Sequence, residues 1–171
     1  MLVVNIMSSG FRLFIGSPTV TTMHLHRLLV RLAVRGCVRW LICGNHLDLQ
    51  RLIYAVALRV GGSYYDILEN NIVISRAETC YQVVALLRKT EAAETPTFIS
   101  DLLLHFYDEK VHDDEATGLF IEGIQALKKL SQAGPVIVSA SGSVKRSQLY
   151  TTLLQSADRV TQFTGDAYYG S

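Results

Sequence analysis

FRLFIGSPTVTTMHLHRLLVRLAVRG, residues 11–36, is the stretch that decides the fold class. Phe11–Ile15 is a short apolar run ending at Gly16, the pattern of a strand buried on both faces. Gly16–Thr22 has loop chemistry, with Pro18 and the hydroxyls of Ser17, Thr19, Thr21 and Thr22. From Met23 to Arg35 the apolar residues Leu25, Leu28, Leu29, Leu32 and Ala33 recur at helical spacing. Arg27, Arg31 and Arg35 fall on another face, and Gly36 ends the helix.

Working outward, the same alternation repeats. Val38–Cys43 reads as a second strand, closed by Gly44 and Asn45, and a helix capped near Asp48 runs to about Val60 before Gly61 and Gly62. Further strands are predicted over 71–74, 97–101, 134–139 and 159–163, and further helices over 79–89 and 145–156. Residues 108–115 form an acidic loop or the acidic start of a helix that reaches about Gln132. Apolar runs mark the strands instead of period-2 alternation. The expectation is therefore α/β, with a mostly parallel sheet flanked by helices on both faces. No linker, repeat or low-complexity tract interrupts the pattern, so residues 1–171 read as one domain with a core over about 11–163. Tyr168–Ser171 reads as a frayed end.

Composition excludes several classes. Apolar residues make up 49% and charged residues 18%, too apolar for a disordered chain. Sixteen basic against fifteen acidic side chains leave +1, so net charge alone argues for neither a nucleic-acid nor a membrane partner. Cys37, Cys43 and Cys80 are odd in number and lack metal-ligand spacing, which points to a reducing cytoplasm. The first ten residues lack the basic start of a signal peptide, and arginines break the longest apolar stretches. The expectation is a cytoplasmic protein with no membrane contact. Charge is nevertheless uneven: residues 1–60 carry +6, 61–120 carry −7 and 121–171 carry +2. Either basic and acidic faces meet a partner or another copy, or folding interleaves them.

Ligands of parallel α/β sheets sit beyond the carboxyl ends of the strands, which singles out Gly16–Met23, Cys43–Asp48 and Asp101. A phosphate-binding loop has the form G-x-x-x-x-G-K-[ST]. Here Gly16 keeps the first glycine, but Thr21, Thr22 and Met23 stand at the second glycine, the lysine and the Mg²⁺-binding hydroxyl. No lysine occurs before Lys89, so no register shift restores it. Asp101, after an apolar strand, has the layout of a carboxylate that holds Mg²⁺, or of a simple turn cap. Ser139 ends another strand and could offer its hydroxyl to phosphate. His46 could act as a base but has no evident partner. His24 and His26 lack the i,i+4 spacing of a metal pair, and His105 and His112 flank a solvated acidic run.

Residues 38–89 resemble the core of the RecA/RadA recombinase superfamily, which includes the recombinase paralogs and KaiC-like ATPases. The resemblance lies in Trp40–Leu52, Leu68–Val84, the Thr97–Asp101 strand and Val136–Ser139, in order and spacing. It implies a P-loop ATPase fold with ATP and Mg²⁺ as the family's cofactors. It places a vestigial nucleotide site on Gly16, Ser17, Thr19, Thr21, Thr22, Asp101 and Ser139, with Asp101 as the metal ligand. The family's catalytic glutamate falls on Gly44, and its phosphate-loop lysine on Thr22. The implied function is a non-hydrolysing relative that docks onto a protein partner or a second copy, in DNA recombination or repair. A weak ATPase with an atypical phosphate loop is the alternative. Another is a DNA-binding accessory protein using the stripe Arg27, Arg31 and Arg35, with Lys145 and Arg146 as further contacts. That stripe otherwise reads as an ordinary solvated helix face.

Overall fold

The computed structural model of the chain describes residues 8–44 and 49–165. Asn45, His46, Asp48 and Tyr168–Ser171 lie outside the described residues. Six strands form one sheet: β1 (Gly10–Ile15), β2 (Val38–Ile42), β3 (Ile72–Arg76), β4 (Thr97–Ser100), β5 (Pro135–Ala140) and β6 (Arg159–Gln162). Six helices connect them: α1 (Pro18–Ala33), α2 (Leu49–Val60), α3 (Tyr64–Asn70), α4 (Cys80–Lys89), α5 (Asp113–Ala133) and α6 (Ser147–Ser156). Short 3₁₀ turns cover Gly61–Ser63 and Leu104–Tyr107.

The strand order is β3-β2-β4-β5-β1-β6, and every pairing is parallel. The fold is thus α/β with a parallel sheet, as the apolar runs predict. Parallel neighbours need crossovers, and right-handed crossovers place a helix on one face or the other according to direction of travel. From β1 to β3 the chain moves one way along the sheet; from β3 to β6 it moves back. Accordingly α1, α2 and α3 pack on one face around Phe14, Trp40, Ile42, Phe98 and Ile137. The other face packs α4, α5 and α6 around Phe11, Leu13, Ile99, Val136 and Val138. β4 and β5 are buried along their whole length, whereas the edge strands β3 and β6 are largely exposed.

Two elements differ from the sequence expectation. Helix α1 begins at Pro18, five residues before Met23. Proline at the first helical position has no N–H to leave unbonded and a φ already suited to the helix. Thr21 then bonds its hydroxyl back to the carbonyls of Ser17 and Pro18, both at 3.1 Å. Helix α3 is the second difference, a helix where the sequence expectation has none. Its signal was Tyr64, Ile67 and Leu68 at i, i+3 and i+4, all three packed on the α1–α2 side of the core.

Candidate functional site

The carboxyl ends of β1, β5, β4 and β2 lie side by side. The chain leaves β1 toward β2 and leaves β5 toward β6 in opposite directions, so a crevice is expected where β1 and β5 adjoin. Two left-handed backbone positions at non-glycine residues, Asp101 (φ 55°) and Arg146 (φ 51°), occur among the described residues, and both follow central strands at this end.

At the end of β1, the turn is two residues long. Gly16 has φ +147°, and Ser17 is the N-cap of α1 without a side-chain capping bond. A Cβ on Gly16 would stand 2.6 Å from the Phe163 carbonyl oxygen, so glycine is required there by close backbone approach as well as by φ. Phe163 is held by its N–H, which donates to Ile15 O at 2.9 Å. Its ring stacks on His24, with centroids 3.9 Å apart, and meets Phe14 edge-on. Thr19, Thr21 and Thr22 are helical residues instead of loop residues. Thr21 is buried and spends its hydroxyl on the helix backbone, while Thr19 is exposed. The four residues between Gly16 and Thr21 cannot arch around a phosphate, because all of them after Ser17 are already helix. With no lysine at position 22, these residues do not fit a triphosphate cradle.

The other strand ends do converge. Ser139 is fully buried, and its Oγ accepts the Asp101 N–H at 3.0 Å, while its carbonyl accepts the Leu102 N–H at 3.1 Å. This pair of bonds holds Asp101 in its left-handed conformation. The Asp101 side chain lies directly on Gly44, at the end of β2. A Cβ there would fall against Asp101 Oδ2 and 3.1 Å from Asp101 Cβ. Gly44, where the resemblance expects a glutamate, is thus the space that Asp101 occupies. Next to it Cys43 is a buried thiol whose pKa is pushed up to about 12, by burial first and then by the Asp101 charge. It is a protonated, unreactive thiol at neutral pH. Among the described residues no group of three or more His, Cys, Asp or Glu could hold a metal ion, so Asp101 would have to hold Mg²⁺ as a single carboxylate.

The remaining candidates sit elsewhere. Arg27 and Arg31 are exposed on α1, and Arg35 is exposed just past it. Lys145 pairs with Glu109 at the surface. Arg146 is engaged within the chain: its guanidinium bonds the carbonyls of Phe106 (2.6 Å), Asp108 (3.0 Å) and Val111 and the Asp113 carboxylate (2.7 Å). Its side chain is only 8% exposed. An open pocket of about 770 Å³ lies beside it, lined by Tyr107, Glu109, Val111, His112, Asp113, Asp114, Lys145 and Arg146. Burial and the neighbouring Tyr150 push the Tyr107 phenol up to about 12, and its hydroxyl donates to Ser141 O at 3.0 Å. Sequence reading missed Arg146's part in organising this loop, since its partners lie 33 to 40 residues away. No helix of the described residues is long and apolar enough to cross a membrane. No protein-family model matches the chain, and no curated protein matches it.

Proposed function

We propose that this chain is a RecA/RadA-like domain of the recombinase-paralog kind that does not hydrolyse nucleotide and acts by docking onto a protein partner. DNA recombination or repair is its setting and the cytoplasm its compartment. The observation that carries the reading is the two-residue turn between β1 and α1, closed by Pro18 and crossed by the Phe163 backbone. A turn of that length supplies no arch of N–H donors and no cation for a triphosphate. The packing of Asp101 on Gly44 adds to it, because a water-activating carboxylate has no room at position 44. A core this well packed, lacking the chemical groups of an ATPase, suits a scaffold whose work is done by its surface. Isothermal titration with ATP and Mg²⁺ tests the reading: no tight binding and no phosphate release are expected. Tight binding with turnover would overturn it.

A weak ATPase with an atypical site is the second reading. It is favoured by Asp101, which is strained and bonded to Ser139 at the ends of adjacent strands, as functional residues often are. It predicts a slow phosphate release that Asp101→Asn abolishes; absence of any release in the parent chain ends it.

A further inference from the structure

We infer that the flank of α1 carrying Arg27, Arg31 and Arg35, with the adjoining face of edge strand β6, is a docking surface for the sugar-phosphate backbone of double-stranded DNA. The surface lies apart from the β1–α1 turn, and only the choice of DNA over RNA rests on the recombination reading above. Residues four apart on a helix differ by about 40° and rise about 6 Å, so Arg27 and Arg31 stand in line. Arg35 extends that line past the last turn, where Val34 is still helical in φ and ψ. His24 fixes which flank this is, because it lies three residues before Arg27 on the same side of the helix. Its ring stacks on Phe163, which directly follows β6. Burial first, and then the Arg27 charge, lower the His24 pKa, which places that guanidinium near the same ring. The other flank of α1 turns to β2, where His26 meets Trp40 edge-on. The arginine line therefore overlooks β1 and β6. Helix α1 runs antiparallel to the strands, so from His24 it leads back along β6 toward Arg159. Parallel pairing sets Arg159 beside Arg12 and Thr161 beside Phe14, on the α1 side of the sheet. That side of β6 is open: α3 packs on β3 at the opposite edge, and Arg159 is exposed.

Charge, and the want of apolar groups, decide the occupant. Among the described residues none of Arg27, Arg31, Arg35 and Arg159 forms an ion pair within the chain. Helix α1 contains no acid. Asp158 stands at the start of β6, but its Oδ2 accepts the Phe11 N–H at 2.7 Å. The surface is thus of one sign, and its cations are arginines, whose planar fork matches a phosphate with two hydrogen bonds. A protein partner would need an apolar centre to desolvate. Val160, the exposed apolar residue of β6, pairs with Leu13 and so faces the other side of the sheet. A single strand would need exposed aromatic platforms for its bases. Phe163 does not supply one, since it is already packed between His24 and Phe14. A straight line of guanidiniums on a rigid helix suits instead the stiff backbone of a duplex.

Fluorescence anisotropy of a labelled DNA duplex, titrated with the chain at several salt concentrations, tests the inference. Binding is expected at low salt, with an affinity that falls linearly with salt on logarithmic axes. Arg27→Ala, Arg31→Ala and Arg35→Ala combined should weaken it about tenfold or more and reduce the salt slope by roughly one for each arginine lost. Arg159→Ala should add to both effects. Lys128→Ala with Lys129→Ala removes two exposed cations from α5, on the other side of the sheet, and should leave binding unchanged. All six positions are exposed, so the variants keep the fold, which circular dichroism verifies. A duplex left free at low salt overturns the inference. So does binding that ignores the triple substitution, or that falls equally with the α5 pair. Equal or tighter binding of single-stranded DNA, duplex RNA or polyglutamate overturns the duplex-DNA occupant. The nucleotide titration decides the non-hydrolysing reading separately, and either can fail while the other stands.

Discussion

Asp101 and Gly44 show how one residue's conformation constrains another across two strands. Asp101 needs a left-handed φ to donate its N–H to Ser139, and that conformation lays its side chain on the Gly44 Cα. Gly44→Ala should therefore cost about 1–3 kcal/mol, the usual range for inserting a methyl group into a packed site. Denaturant unfolding measures it. Adding Asp101→Gly removes the obstructing side chain and suits the positive φ, so the double variant should lose less than the two singles summed. His24 supplies a pH-dependent test. Its pKa is lowered from 6.5 by burial against the fold and by Arg27. A histidine with a depressed folded pKa binds its proton more readily when unfolded. Its contribution is therefore intact above pH 6.5 and lost as pH falls through that value. Thermal unfolding between pH 8 and pH 5 should show a falling Tm, and His24→Gln should flatten that fall.

Elements at the carboxyl end of the sheet are tied together by side chains and not by packing alone. Arg146 joins the start of α6 to the loop before α5 by reaching three carbonyls and the Asp113 carboxylate, which only a planar fork of donors can do. Arg146→Lys keeps the charge but offers a single ammonium. Amide exchange over residues 104–113 should quicken by about tenfold or more, while the amides of β4 and β5 keep their protection. At the N-terminus of α4, Thr79 Oγ1 accepts the Gln82 N–H at 3.1 Å and Gln82 Oε1 accepts the Glu78 N–H at 2.7 Å. Thr79→Ala should cost about 1 kcal/mol in denaturant unfolding. These elements also show where sequence reading succeeds. The strands were legible because burial on both faces demands unbroken apolar runs such as Phe98–Ile99 and Val136–Val138. The start of α1 was not, because Thr19, Val20 and Thr21 have poor helix propensity and their backbone-directed hydrogen bonds are invisible in one dimension. Asp101 and Ser139 were legible as strand ends; their bond to each other, and the seat of Asp101 on Gly44, depend on strand order. Nothing in the spacing of residues 44, 101 and 139 encodes that order.

At the scale of the whole molecule, two apolar clusters share one sheet. The α1–α3 side and the α4–α6 side are built from alternate residues of the same strands: Phe14 points one way, Leu13 and Ile15 the other. Neither cluster can lose its helices without exposing a face of strands that the other still needs. The molecule should accordingly unfold as one unit, although its core is divided. The charge pattern survives this arrangement in part. The described residues of α1 and α2 include Arg27, Arg31, Arg51 and Arg59 and no acid, while Asp113, Asp114 and Glu115 open α5 on the opposite face. Trp40, the single tryptophan, is 1% exposed and belongs to the α1–α3 cluster, so its fluorescence reports on that side alone. Leu127 is fully buried in the other cluster. Leu127→Ala should cost about 2–5 kcal/mol by leaving a cavity, and Leu29→Ala on the tryptophan side should cost a similar amount. Because the sheet couples the two sides, Leu127→Ala should lower the midpoint of the Trp40 fluorescence transition by the same amount as that of the far-ultraviolet circular dichroism. A Trp40 transition left at its parental midpoint while the dichroism shifts would mean that the two faces melt independently. The single-domain account of the chain would then fail.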